Sequence, residues 1–308
     1  MNVNIRYYVL TIAAIFMALG IGIFIGFMLD GQKVFSEQQE TIINQLEQKF
    51  KDIQTENSNL KDNVQSLNKQ LDYMNQYGKI VFPEIVKGRL NGVKVAIIET
   101  NNDFIYPGLR NALMKAGATI SSVTIFKDDL NNLDQSEKDD LIMNLSKYGN
   151  IDSNHLIESL SEKLTEVLVT GQDGELITYL KDKGYIDFTG TPGNTDFIVL
   201  AGGSNLKNNN LNIVDIPIIK QSKILNVPIV GVEQSDVKYS YMDAYRKQHL
   251  STVDNIDTII GQTSLIMVMQ GKEGNYGVKP GDTSIMPDAF IEYQQNQNQN
   301  KTNSNEVK

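Results

Sequence analysis

The chain has 308 residues, 41% of them hydrophobic, with 37 acidic side chains against 28 basic ones and a net charge of −9. That balance argues against nucleic acid as a partner, because a nucleic-acid surface calls for a basic face. With no cysteine and two histidines, His155 and His249, the chain offers no thiolate nucleophile or thiolate metal site, and too few imidazoles for a histidine-built metal cage.

No charged residue occurs from Tyr8 to Leu29. A bilayer core takes roughly 20 helical residues, so this stretch reads as a retained membrane helix, 8–29. A soluble core helix of that length carries a polar face. A cleaved signal peptide has an apolar run of about 7–15 residues before its small residues, whereas here the run continues past Ala18, Gly20 and Gly22. Arg6 precedes the helix, while Asp30, Lys33 and Glu37 beyond it roughly cancel. Positive residues tend to stay cytoplasmic, so residues 1–7 are expected inside and the bulk of the chain outside. Ala14, Ala18, Gly22 and Gly26 recur along one flank, where two helix backbones can approach closely. Small residues are also common in membrane helices that pack against nothing.

Residues 36–77 carry a heptad pattern. With Ile43 at position a, the a series is Ile43, Phe50, Asn57, Val64 and Leu71, and the d series is Leu46, Ile53, Leu60, Leu67 and Met74. Alternating spacing held over about five heptads argues for a coiled coil. Asn57 alone interrupts the apolar seam. A single Asn at an a position costs stability but fixes register and favours two strands. In a parallel homodimer Glu56 at g would face Lys61 at e of the other copy. The alternative is a long helix folded back on the chain's own globular part. A straight stalk would reach roughly 60 Å, and Gly78 and Pro83 are expected to end it.

Residues 92–288 read as an α/β domain of doubly wound, Rossmann-like type with a parallel sheet. Gly92–Thr100 (GVKVAIIET) is a β-branched run suited to a buried parallel strand. The stretch after it has Pro107 near a first helical turn, an apolar face and Gly117 as a stop. Thr119–Phe126 reads as a second strand, completing a βαβ unit. Helices are expected near Ser136–Tyr148, Asn154–Leu168 and Gly174–Asp182, strands near Thr195–Asn205 and Asn226–Gln234, and a late helix over Ile256–Gly271. Such alternation favours a doubly wound sheet. Residues 289–308, polar and low in complexity, are expected to be disordered.

Catalytic motifs are sparse, and the chain reads as a non-enzyme without a cofactor. There is no G-x-S-x-G elbow. LAGGSNLKNNN follows a strand but lacks the phosphate-loop pattern, so an ordinary strand-end turn is the simpler reading. Most of the carboxylates Glu233, Asp236, Asp243, Asp254 and Asp257 are expected on the solvated surface. Thioethers suit Cu(I), and among the 10 methionines Met267 and Met269 form the one close pair. With His249 they make a weak copper set, against the plainer role of core filling. In a doubly wound domain the loops after Thr100, Ala201 and Glu233 would line a ligand cleft.

The N-terminal YYVLTIAAIFMALGIGIFIG followed by heptads, the VKVAIIET strand and above all Leu250–Gly281 resemble the mycobacterial copper transport protein B family. Within that last block Ser251, Thr252, Asp254 and Asp257 (STVDNID), with Gly274, Tyr276 and Gly277 (GNYG), look like the family's signature. The resemblance covers roughly residues 5–287. It implies copper transport or efflux, with an outer-membrane pore proposed for the family. Actinobacterial members are also linked to envelope assembly and division alongside a membrane-associated partner. A pore-forming barrel needs many alternating strands of about ten residues, and the strands read here are of the buried parallel type. The anchor and heptads suit a dimeric envelope scaffold or regulator with a protein partner. Copper handling and a small-ligand receptor are the alternatives. Read from the residues alone, Ser251, Thr252 and Asp254 would cap a helix starting near Ile256.

Overall fold

The computed structural model describes residues 5–288. The expected disordered tail, 289–308, and the first four residues lie outside the described residues. The chain divides into two compact units, Met1–Met74 and Asn75–Lys308.

The first unit is helical. Helix α1 (Ile5–Val86) includes Arg6–Leu29, which is long and apolar enough to cross a membrane and none of which is buried. Further along, the a and d residues from Ile43 to Met74 lie exposed on the helix surface.

The second unit is built on a seven-stranded sheet in the order β3-β2-β1-β4-β5-β6-β7. Its strands are β1 (Lys94–Glu99), β2 (Thr119–Phe126), β3 (Ile186–Gly190), β4 (Phe197–Ala201), β5 (Ile229–Val232), β6 (Ser251–Val253) and β7 (Asn275–Tyr276). Every neighbouring pair is parallel except β2 with β3, which is antiparallel. The helices are α2 (Pro107–Lys115), α3 (Gln135–Leu145), α4 (Leu156–Thr170), α5 (Glu175–Asp182), α6 (Ile216–Ile224), α7 (Met242–Lys247) and α8 (Ile259–Met269).

Side chains alternate across a pleated strand, and the alternation assigns each central strand to two cores. Ala96 and Ile98 of β1, with Ile198 and Leu200 of β4, pack among α3, α4, α5, α6 and α7. Val95 and Ile97, with Val199 and Ala201, pack on the other face among α2, α8 and the end of α1. A sheet buried on both faces reads as unbroken apolar runs, which is why KVAIIE and FIVLA were legible. From β1 the chain winds outward to β2 and β3, then crosses to β4 and winds the other way. The α/β, doubly wound expectation holds, with an antiparallel edge added by β3.

Three local expectations are corrected. Helix α1 does not stop at Gly78 or Pro83 but runs to Val86. Phe82 and Val86 are buried in the core, and a Cβ on Gly78 would press on the Ile259 side chain. Packing thus holds the last turns despite the hydrogen bond that Pro83 cannot donate. Ser251 and Thr252 do not cap a helix: they form β6, and Thr258 is the cap, its side chain accepting from Gly261 N at 3.0 Å. β3, β6, β7, α6 and α7 were not anticipated. They are short, and β3 is largely solvent-facing.

Candidate functional site at the carboxyl ends of the strands

The loops after β1, β4 and β5 do meet at the carboxyl edge of the sheet. Asn101 Nδ2 donates to Gly203 O at 2.6 Å, Asn210 Nδ2 to Thr100 O at 2.8 Å, and Tyr106 Oη to Gly202 O at 3.3 Å. Asp103 Oδ2 accepts from Ser204 Oγ at 2.5 Å and Asn205 N at 2.7 Å. The place where a ligand would enter is filled from within. A Cβ on Gly202 would overlap the Tyr245 hydroxyl, and one on Gly231 would overlap the Tyr245 ring. These glycines make room for a tyrosine.

Beneath that tyrosine lies Asp215, wholly buried at the end of a π-helical turn, Leu211–Asp215. Its Oδ1 accepts from the Tyr245 hydroxyl and from Thr100 Oγ1, the latter at 3.1 Å. Its Oδ2 has no protein partner among the described residues. Removing a carboxylate from water disfavours its charge, and burial pushes Asp215 up to about 7 despite the two donated hydrogen bonds. A different cavity, of about 460 Å³, opens beside the loop after β4, between Asp128 and Asn132 on one side and Leu206–Asn209 on the other.

The two signature blocks turn out to face each other. Thr252 pairs with Asn275 and Val253 with Tyr276 in the parallel β6–β7 ladder. Ser251 Oγ accepts from Gly274 N at 3.1 Å, and Thr252 Oγ1 donates to Asn275 Oδ1 at 2.9 Å. Asp254, expected on the surface or at a helix cap, is fully buried. It accepts from Val278 N at 3.0 Å and Lys279 N at 2.7 Å. Gly277 lies against it, and a Cβ there would overlap the carboxylate. Asp257 instead fixes the loop after β5, accepting from Ser235 N at 2.8 Å and Ser235 Oγ at 2.9 Å.

Three charged residues of this region, Arg246, Lys279 and Asp282, had no assigned role in the sequence, and a fourth, Glu233, was expected on the surface. Glu233 is completely buried, also against expectation, and accepts from Tyr241 N at 3.0 Å, from Ser240 Oγ and from the Lys279 ammonium. Arg246 reaches Asp282 Oδ1 at 2.9 Å and Pro280 O at 2.9 Å. A buried charge is tolerated only with a partner. The signal available in sequence was VKPGD directly after GNYG, which places a lysine and an aspartate within reach of a sheet edge.

The copper candidates separate. Met267 is buried inside α8. Met269 and His249 line one cavity of about 330 Å³ at the opposite, amino-terminal edge of the sheet, with Phe197, Ile229, Ser251 and Glu273. His249 sits at φ 58°, where the chain leaves α7. Among the described residues no group of three or more His, Cys, Asp or Glu is placed to hold a metal ion.

On α1, Ile43, Leu46, Phe50, Ile53, Leu60, Val64, Leu67, Leu71 and Met74 are each more than half exposed, and Asn57 is exposed among them. Ala14, Ala18, Gly22 and Gly26 also lie uncovered on their helix. A family description, copper transport outer membrane protein, MctB, matches residues 2–287. The chain belongs to the MctB family. No curated protein matches it. Family and anchor together make this a membrane-anchored protein of the MctB copper transport group, and the match takes in membrane helix, heptads and sheet alike.

Proposed function

We propose that this chain is a non-catalytic envelope scaffold or regulator: a single-pass anchor with its amino terminus inside, a parallel homodimeric coiled coil over residues 36–77, and an α/β domain offered to an envelope protein partner outside the membrane. The observation that carries the reading is the uncovered seam of α1. Its apolar a and d side chains lie more than half in solvent from Ile43 to Met74. Burying one such side chain is worth roughly 1.5–3 kcal/mol, so a second copy presenting the same face supplies a large gain. A membrane anchor releases both copies on the same side, which suits a parallel pair, and Asn57 would hold it at two strands. Ala14, Ala18, Gly22 and Gly26 would let the membrane helices continue the contact. The sheet's carboxyl edge supports a role in presentation, because its crevice is occupied by Tyr245. The test is mass by analytical ultracentrifugation in detergent. A dimer is expected for the native chain and a monomer for Ile53→Lys with Leu60→Lys. A native monomer would refute the reading.

Copper handling is the second reading, favoured by the family description and by a cavity that both His249 and Met269 line. A thioether and an imidazole suit Cu(I). The check is a Cu(I) competition titration of the full chain. On this reading binding falls at least tenfold in both His249→Ala and Met269→Leu, and stays unchanged in Met267→Leu. Binding that survives both changes would move the site elsewhere. No binding by the native chain would end the copper reading and leave the scaffold reading standing.

A further inference from the structure

We propose that residues 274–284 form a strap across the β6 edge, and that Asp282, brought against Asp254, sets its grip: the strap holds closed while the Asp282 carboxyl keeps its proton and loosens once it ionises. Only two residues of the strap, Asn275 and Tyr276, pair as strand, so its hold depends on side chains. One main-chain N–H, that of Lys279, donates to Oδ2 of both acids, at 2.7 Å for Asp254 and 2.8 Å for Asp282. The two carboxyl groups therefore converge on a single point.

The surrounding charges do not neutralise both. From α7, Arg246 reaches Asp282 at 2.9 Å but divides its guanidinium with Asp243 at 2.6 Å. The Lys279 ammonium is turned away to Glu233 at the end of β5. Asp257, on the same side, is engaged with Ser235. Among the described residues Asp254 has the main-chain N–H groups of Val278 and Lys279 and no salt-bridged cation. Two like charges meeting in a desolvated place disfavour the doubly ionised state. Asp282 accordingly rises from an ordinary 3.8 to about 6, through burial first and its contact with Asp254 next.

The sign follows from which state holds the proton. The docked strap keeps it up to about pH 6, whereas a released strap would lose it near 3.8. Docking is therefore strongest below about pH 4 and weakens as pH rises through 6, by up to roughly a hundredfold for a shift of about two units. Release would free Thr252 N and Asp254 N, now bonded to Gly274 O and Tyr276 O at 3.1 Å each. It would also strip Glu233 of its ammonium partner. An open sheet edge beside a bare carboxylate would replace a closed one.

Hydrogen-exchange protection factors of the full chain in detergent micelles, at pH 5 and pH 7.5, test this. Protection of Thr252, Asp254 and Lys279 amides is expected to fall about tenfold at the higher pH, through an opening that leaves Ile198 and Leu200 of β4, which report global unfolding, more strongly protected at both pH values. Asp282→Asn removes the titrating carboxyl and should abolish the pH dependence. Asp254→Asn removes the facing carboxylate instead and should weaken the pH dependence, should Asp282→Asn fail to dock. Strap protection that merely follows β4, or that keeps its pH dependence in both variants, would overturn the proposal.

Discussion

Helix α1 between Ile43 and Met74 carries its apolar side chains outside, while the carboxyl edge of the sheet carries charged side chains inside. Leu60 is 55% exposed and Glu233 is 0% exposed. Each inverts the usual order of burial, and the contrast shows how differently the two inversions are resolved. Glu233 finds Lys279, Ser240 and Tyr241 within its own chain. The seam has its apolar surface arranged in register with no cover from its own unit. One region closes on itself, and the other leaves its apolar surface uncovered.

The largest effect that would break this comparison concerns Asp215. Its raised pKa means that the folded domain holds a proton the unfolded chain gives up near 3.8. That contribution to stability is complete below about pH 4 and lost as pH rises through about 7, by roughly 4 kcal/mol. Urea denaturation midpoints across this range should fall for the native chain and flatten for Asp215→Asn, which can still accept from Tyr245 and Thr100. An unchanged slope in the variant would mean that the edge of the sheet is not closed on a neutral acid.

Gly277→Ala should come next. At φ 150° and against Asp254, the added methyl forces the two signature blocks apart. A loss of roughly 3 kcal/mol in thermal or chemical unfolding is expected. A mild effect would show that the blocks are less tightly matched than their hydrogen bonds indicate.

The smallest effects sharpen the other side of the contrast. Asn57→Val should raise dimer stability by about 1 kcal/mol and loosen the preference for two strands. Adding Glu56→Lys should take back about 0.5 kcal/mol through repulsion with Lys61 of the second copy. Sedimentation equilibrium reads both. If mass and stability ignore both changes, the seam faces something other than its own copy.

Legibility along the chain followed the reach of the forces that set each element. β1, β2, β4 and β5 were readable because a strand buried on both faces writes its environment into consecutive residues. The α8 start was misplaced by three residues, because Ser251, Thr252 and Asp254 are good capping residues used here for something else. The end of α1 was misjudged because Pro83 is a local breaker, overruled by the burial of Phe82 and Val86. β7 had no local signal at all, since two residues carry no period.

By itself the sequence determined the membrane helix, the heptad seam and the α/β class, all of which rest on periodicity or composition within one segment. Only the tertiary structure decided that Tyr245 fills the glycine crevice, that STVDNID and GNYG clasp each other, and that His249 shares a cavity with Met269 but not with Met267. Those outcomes join residues up to tens of positions apart through hydrogen bonds and close packing. Such contacts depend on where the sheet places each strand end, and no window of the sequence contains that information.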